Sequence, residues 1–195
     1  MAATVKVYYD WGGTDGSPGT SQNVTNNGTN KIRFKTADDD TIDTNNPIPV
    51  PTSGTNYSFW KHVYMQVSTA VGLTKIDNVQ FYGDGAVFDY TGVTLNVSTA
   101  TPNNTALTNY GYAVAVGTAA VTGTILTGHG SVSAVASATG YTSGSPLTVS
   151  ISEASNQLDA TGEKTDYIIM QLAVTDAASS GTLTAETLTI SYDEI

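Results

Sequence analysis

The stretch Tyr57-Ser-Phe-Trp-Lys-His-Val-Tyr-Met-Gln-Val-Ser-Thr69 decides the fold class. Phe59, Val63, Met65 and Val67 fall on one side of an extended chain, and Trp60, His62, Tyr64 and Gln66 on the other. Successive side chains of a strand point to opposite faces, so this period of two reads as β-structure. Bulk stands on both faces, which predicts a central strand or one covered on both sides.

Working outward, strand signals alternate with turn clusters along the whole chain. Residues 4–9 alternate Val5 and Val7 with Lys6 and Tyr8. Residues 31–36 set Ile32 and Phe34 on one face and Lys31, Arg33 and Lys35 on the other. Downstream, residues 78–82, 92–98, 110–116, 121–127, 132–139, 147–151, 167–175 and 183–192 read as further strands. Gly83-Asp84-Gly85 has the composition of a hairpin turn or bulge. Residues 156–164 form a polar connection with room for a single helical turn. Composition agrees, because 32 Thr, 17 Ser, 13 Asn and 19 Gly make up 81 of the 195 residues. Thr favours strands and the other three favour turns, while the good helix formers Glu, Lys and Arg are scarce. The prediction is an all-β protein of about ten strands with no long helix: a β-sandwich, jelly-roll or Ig-like. The lack of a fixed-period repeat disfavours a β-helix or propeller.

A chain of this size buries roughly 70% of its surface on folding, enough for one core. Residues 1–195 are therefore read as one sandwich domain with long loops at 11–30 and 37–55. A compositional break near Asn109 makes two subdomains the alternative: both Trp, all four Phe and six of the seven basic residues precede it. With 7 basic against 17 acidic residues and a formal net charge of −10, the chain has no footprint for nucleic acid. The lack of cysteine excludes disulfides, thiolate metal sites and Cys nucleophiles. No apolar run reaches the length of a membrane span, so no membrane association is expected. The first residues alternate like a strand and lack the basic and apolar regions of a signal peptide, so synthesis in a host cytoplasm is expected.

Candidate chemistry is sparse. His62 and His129 are not accompanied by a nucleophile elbow, and each reads more simply as a packed or turn histidine. Asp84 and Asp89 lie among Phe81, Tyr82, Phe88 and Tyr90 and are the acids best placed for glycosidic chemistry, though turn roles explain them as well. Asp38-Asp-Asp-Thr-Ile-Asp43 concentrates carboxylates, and Asp38, Asp40 and Asp43 form a weak Ca²⁺ candidate. The spacing is not that of an EF-hand, since Ile42 stands at a ligand position, and a solvated acidic loop is the plainer reading. No other cofactor is expected. Five N-x-S/T sequons occur, at Asn23, Asn27, Asn56, Asn96 and Asn103, as this composition produces by chance. Trp11, Trp60, Tyr8, Tyr9, Tyr57 and Tyr64 are numerous enough to stack sugars, but their alternating positions equally suit a core.

The most suggestive feature is the low charge content, 12% of residues. Thr, Ser and small apolar groups cost less to desolvate than Lys or Glu, which suits a subunit that buries surface on neighbours. Trp11, Trp60, Tyr64 and Tyr192 are the candidate interaction residues.

Residues Tyr57 to Ala70, followed by Ile76-Asp-Asn-Val-Gln-Phe-Tyr-Gly-Asp-Gly85, resemble a segment of virion structural proteins of tailed bacteriophages. The terminal Leu188-Thr-Ile-Ser-Tyr-Asp-Glu-Ile195 is similar to the C-terminal strand of the same group. The resemblance implies a β-sandwich on the capsid surface, a head decoration or cement protein without an active site. Its implied partners are the major capsid protein or other virion subunits, and further copies of itself as a homo-oligomer. Residues 11–30 and 38–51 would then lie along neighbours, and the terminal strand would pair with another copy. The alternatives are a neck or tail component, an extracellular carbohydrate-binding or adhesive module, a pilus-like filament subunit and, least favoured, a polysaccharide-cleaving enzyme.

Overall fold

The computed structural model describes residues 3–11, 20–24, 31–39, 41, 44–99, 125–127, 132 and 134–195. The strand expected at 110–116, most of that at 121–127, and His129 lie outside the described residues, as do Asp40 and Asp43.

Among the described residues ten strands follow in chain order: β1 (Thr4–Trp11), β2 (Thr20–Asn23), β3 (Thr55–Tyr57), β4 (Lys61–Thr69), β5 (Ile76–Tyr82), β6 (Val93–Thr99), β7 (Ala136–Ser137), β8 (Leu147–Thr148), β9 (Ile168–Thr175) and β10 (Thr189–Glu194). The helical content among the described residues is one 3₁₀ turn, Ala138–Gly140. The principal sheet runs β2-β1-β4-β9-β6-β7, with β3 also paired to β9, and the second runs β10-β5-β8. All described pairings are antiparallel. The protein is an all-β sandwich, because one buried cluster joins the inner faces of both sheets. Val63, Met65, Leu95, Val97, Ile168 and Met170 come from the principal sheet, and Ile76, Val79 and Phe81 from the second.

The two-sided pattern of residues 57–69 is realised almost as written. Val63, Met65 and Val67 enter the inter-sheet core, while Trp60 and Tyr64 enter a second cluster on the outer face. β4 is internal, flanked by β1 and β9. The alternation is interrupted at Ser58–Trp60, where one extra residue separates the β3–β9 register from the β4–β9 register. Ser58 repairs the ladder at this bulge. Its N–H donates to Leu172 O (2.9 Å), and its Oγ accepts from Leu172 N–H (3.0 Å) in place of a backbone carbonyl.

A second bulge lies in β5. Its pairing with β10 shifts between Ser191 and Asp193, opposite Asn78, whose φ is 49°. Asn tolerates the left-handed region better than most residues, and the extra residue turns Ile76, Val79 and Phe81 onto the same face. All three are buried as a result.

Elsewhere the expected elements are corrected. Residues 31–36 are not a strand: Lys35 O accepts from Phe59 N–H (3.1 Å), Thr36 N–H donates to Asn46 O (3.0 Å), and the segment wraps over the inner side of the principal sheet. The expected charged face is broken up: Lys31 is exposed and Arg33 half-buried, while Lys35 is drawn inside to a carboxylate. Residues 83–85 do not close a hairpin but begin the crossover from β5 in one sheet to β6 in the other. Asp84 Oδ1 caps that turn by accepting from Ala86 N–H (2.8 Å). The long loop expected from residue 11 contains the edge strand β2, and Trp11 is the last residue of β1. The described residues of 132–139 contain the short β7, 156–164 form turns without a helix, and the last strand starts at Thr189 rather than 183.

Candidate functional site

Three groupings of chemically capable side chains stand out, and the first follows from strand register. The first is on the outer face of the principal sheet. Asp10 is paired in register with His62, and Tyr8 with Tyr64, so alternation brings all four to one side. Tyr8 and Tyr64 stack at 5.6 Å, and Tyr167 meets both His62 (5.4 Å) and Tyr64 (5.7 Å) edge-on. Asp10 is the polar hub: Ser21 Oγ donates to its Oδ1 and Tyr167 Oη to its Oδ2, each at 2.6 Å, while Tyr64 Oη donates to Ser21 Oγ at 3.2 Å. The Lys164 ammonium lies 4.7 Å from the Tyr64 ring centroid. Burial raises the Asp10 carboxyl above its ordinary range, against the opposing pull of Ser21, Tyr167 and Lys164. Burial likewise raises the Tyr64 phenol and lowers the Lys164 ammonium.

This layer is a packed structural one. Leu126, Val132 and Val135 cover it, and Leu126 N–H donates to Gln171 Oε1 at 2.8 Å. Trp60 and Tyr64 are only 2% and 5% exposed, so they are not a solvent-facing platform for a sugar or a partner. The correction has a simple cause: Tyr64 belongs to an internal strand whose two faces are covered, and Trp60, at the bulge just before that strand, packs into the same outer cluster. Trp11 is half-buried against the main core, and Tyr192 is half-buried on β10, an edge strand of the second sheet. His62 is fully buried among the aromatic rings.

The second grouping is the acidic loop. Asp38 and Asp39 turn inward to two buried lysines. Lys35 Nζ donates to Asp39 Oδ1 at 2.8 Å, and Lys61 Nζ donates to Asp38 Oδ1 at 3.3 Å. Lys61 is fully buried, and desolvation lowers its ammonium despite Asp38 and Asp39. Asp38 therefore serves as a counter-ion to Lys61; Asp40 and Asp43, the other members of the calcium candidate, lie outside the described residues. Among the described residues no group of three or more His, Asp or Glu side chains could hold a metal ion.

The third grouping is a cavity of about 750 Å³ on the inner side of the principal sheet. Its floor is Val93 of β6 and Met170, Leu172 and Val174 of β9. Its roof comes from irregular chain at 31–35, 44–50 and 178–188, with Phe34 and Phe88 meeting edge-on at 6.1 Å. Among the described residues, Lys31, Arg33, Lys35 and Glu186 are the charged members of the lining. Lys35 is held by Asp39, but Arg33 Nε is buried without a hydrogen-bond partner.

Sequence reasoning did not single out Asp10, Ser21, Tyr167 or Lys164 as a cluster. Asp10 was findable by extending the Tyr8 face of β1 two residues further. Asp84 and Asp89 are not gathered into a common catalytic pair by the hydrogen bonds present: Asp84 caps its own turn, and Asp89 N–H donates to Ala86 O. Comparison of the chain with protein-family models, curated proteins and solved structures gives no match in any of the three.

Proposed function

We propose that the protein is a non-enzymatic structural subunit of a virion, a capsid decoration or cement protein of a tailed phage. The observation that carries this reading is where the reactive side chains go. Asp10, Ser21, Tyr64 and Tyr167 bond to one another, and Asp38 and Asp39 neutralise Lys61 and Lys35. Interior chemistry is thus spent on stiffness. The outside, in a chain with 49 Ser and Thr residues, is rich in neutral hydroxyl groups. Such a surface gives up water at low cost when it meets a neighbour. A rigid double sheet spanning two shell subunits adds buried area across their seam, and the gain follows mass action on the assembled lattice. The edge strands β2 and β10 offer backbone for pairing at that seam.

Mass spectrometry of density-purified particles tests the reading. The expected result is this chain in amounts comparable to the main shell protein, with particles lacking it bursting at lower temperature. Its absence from purified particles overturns the reading.

A further inference from the structure

We infer that the cavity between β6, β9 and the irregular roof is a binding site for an amphipathic anion, an unbranched alkyl carboxylate of medium length. The inference goes beyond the assembly role and does not depend on it. The pocket is partly open to solvent and has a volume of about 750 Å³. It falls in the range of small-molecule sites, about 300–1,000 Å³. The floor is apolar without exception: Val93, Met170, Leu172 and Val174 are successive inward residues of β6 and β9, and Phe34 and Phe88 close the opposite side. This part fits an alkyl chain and offers nothing to a sugar or a nucleotide.

The polar end of the ligand is specified by charge. Among the described residues, three cations and one carboxylate line the cavity. Lys35 is already engaged by Asp39, and Lys31 is exposed. Arg33 is different: it belongs to the lining, and its Nε is buried and lacks a hydrogen-bond partner. A buried guanidinium N–H without an acceptor is costly. The side of a guanidinium formed by Nε–H and a terminal N–H matches the two oxygens of a carboxylate. Glu186 repels an anion and so favours a head group set against Arg33 over one at the 186 side of the lining.

The test is titration calorimetry of the full chain with dodecanoate. Decanoate, dodecan-1-ol and dodecyltrimethylammonium are the comparisons. The expected result is saturable 1:1 binding of dodecanoate, weakened about tenfold for decanoate, as two fewer buried methylenes dictate. Arg33→Gln should weaken dodecanoate by about tenfold or more. It should leave the weaker binding of dodecan-1-ol unchanged, which also reports that the variant is folded. Leu183→Trp, which fills the cavity from its roof, should abolish binding of both. No saturable dodecanoate binding overturns the inference. So does equal binding of the alcohol and the ammonium compound, or dodecanoate binding indifferent to both substitutions.

Discussion

The inner face of the principal sheet is covered in two different ways. Over one part lie the second sheet's strands, and there Ile76, Val79 and Phe81 are at most 2% exposed. Over the other part lie residues 31–35, 44–50 and 178–188, and there the 750 Å³ cavity remains. Backbone hydrogen bonding accounts for the difference. A strand roof satisfies its own N–H and C=O groups in a ladder, so its side chains alternate at fixed spacing and interdigitate with those below. The irregular roof contains Pro47 and Pro49, which lack N–H donors two residues apart and interrupt any such ladder there. It is held by single bonds instead, such as Thr36 N–H to Asn46 O and Asn56 Nδ2 to Pro49 O. Dense packing follows the ladder, and ligand-sized space is left where the ladder is missing.

The largest expected effect tests that contrast directly. Phe81→Ala removes a ring from the strand-roofed part and should cost about 3–5 kcal/mol in denaturant unfolding. Phe34→Ala, half-buried beside the cavity, should cost less than about 2 kcal/mol, because the space it vacates adjoins space already present. Equal losses would mean that the two parts are packed alike and would remove the distinction.

These two residues also mark how far the sequence is legible. The strict alternation of 57–69 reveals an internal strand, because both faces of β4 are filled by side chains from the same short stretch. The inward turn of Phe81 together with Ile76 is not legible from alternation, since the bulge at Asn78 breaks the period of two. Lys35 misled in the opposite direction. Its alternation with Ile32 and Phe34 is that of a half-exposed strand, yet its partner is four residues on, in a loop that composition assigns to solvent. The polar hub of Asp10, Ser21 and Tyr167 joins positions up to 157 residues apart and leaves no local signature. The cavity has none either, because it is defined by what the roof fails to fill.

The next effect concerns the ion pairs at the acidic loop, which anchors the start of the irregular roof. Asp38→Asn leaves the fully buried Lys61 ammonium without its carboxylate and should cost about 3 kcal/mol, whereas Lys61→Met combined with Asp38→Asn, which removes both charges, should cost less. The pH dependence has a definite sign. Burial lowers the folded-state Lys61 ammonium, so between its folded value and the ordinary 10.5 the unfolded chain binds more protons. Stability from this group therefore rises with pH through that window and is lost as pH falls through the folded value. The penalty of Asp38→Asn should shrink toward pH 10.5 in unfolding measured across a pH series. A penalty that grows with pH would contradict the burial of a charged Lys61.

Gly92 ties the other arm of the roof to the sheet. Its φ is +74°, and a Cβ there would lie 2.8 Å from Ala177 C. Gly92→Ala should cost about 2–3 kcal/mol through strain and displacement of that arm. Gly54→Ala, at φ +78° with nothing within 4 Å, carries the backbone strain alone and should cost about 1 kcal/mol. The gap between the two reads how firmly residues 177 and 178 are pressed to the start of β6. If the costs match, the arm yields freely and does not fix the cavity's shape.

The smallest effect lies where the two regimes meet. At the β3–β4 bulge the ladder skips a bond, and Ser58 Oγ supplies the acceptor that Leu172 N–H would lose. Leu172 is on the cavity floor, so a side chain sustains strand geometry beneath the irregular roof. Ser58→Ala leaves a buried N–H unsatisfied and should cost about 1–2 kcal/mol, while Ser58→Thr keeps the oxygen and should cost less. Amide exchange separates this from a general loosening. The Leu172 N–H should exchange faster in Ser58→Ala, with the amide of Leu95, its partner across β6, keeping its protection. If both amides lose protection together, the floor and the strand-roofed core open as one unit. The cavity would then be a feature of a single cooperative core, and the contrast between the two coverings would hold for packing density but not for local stability.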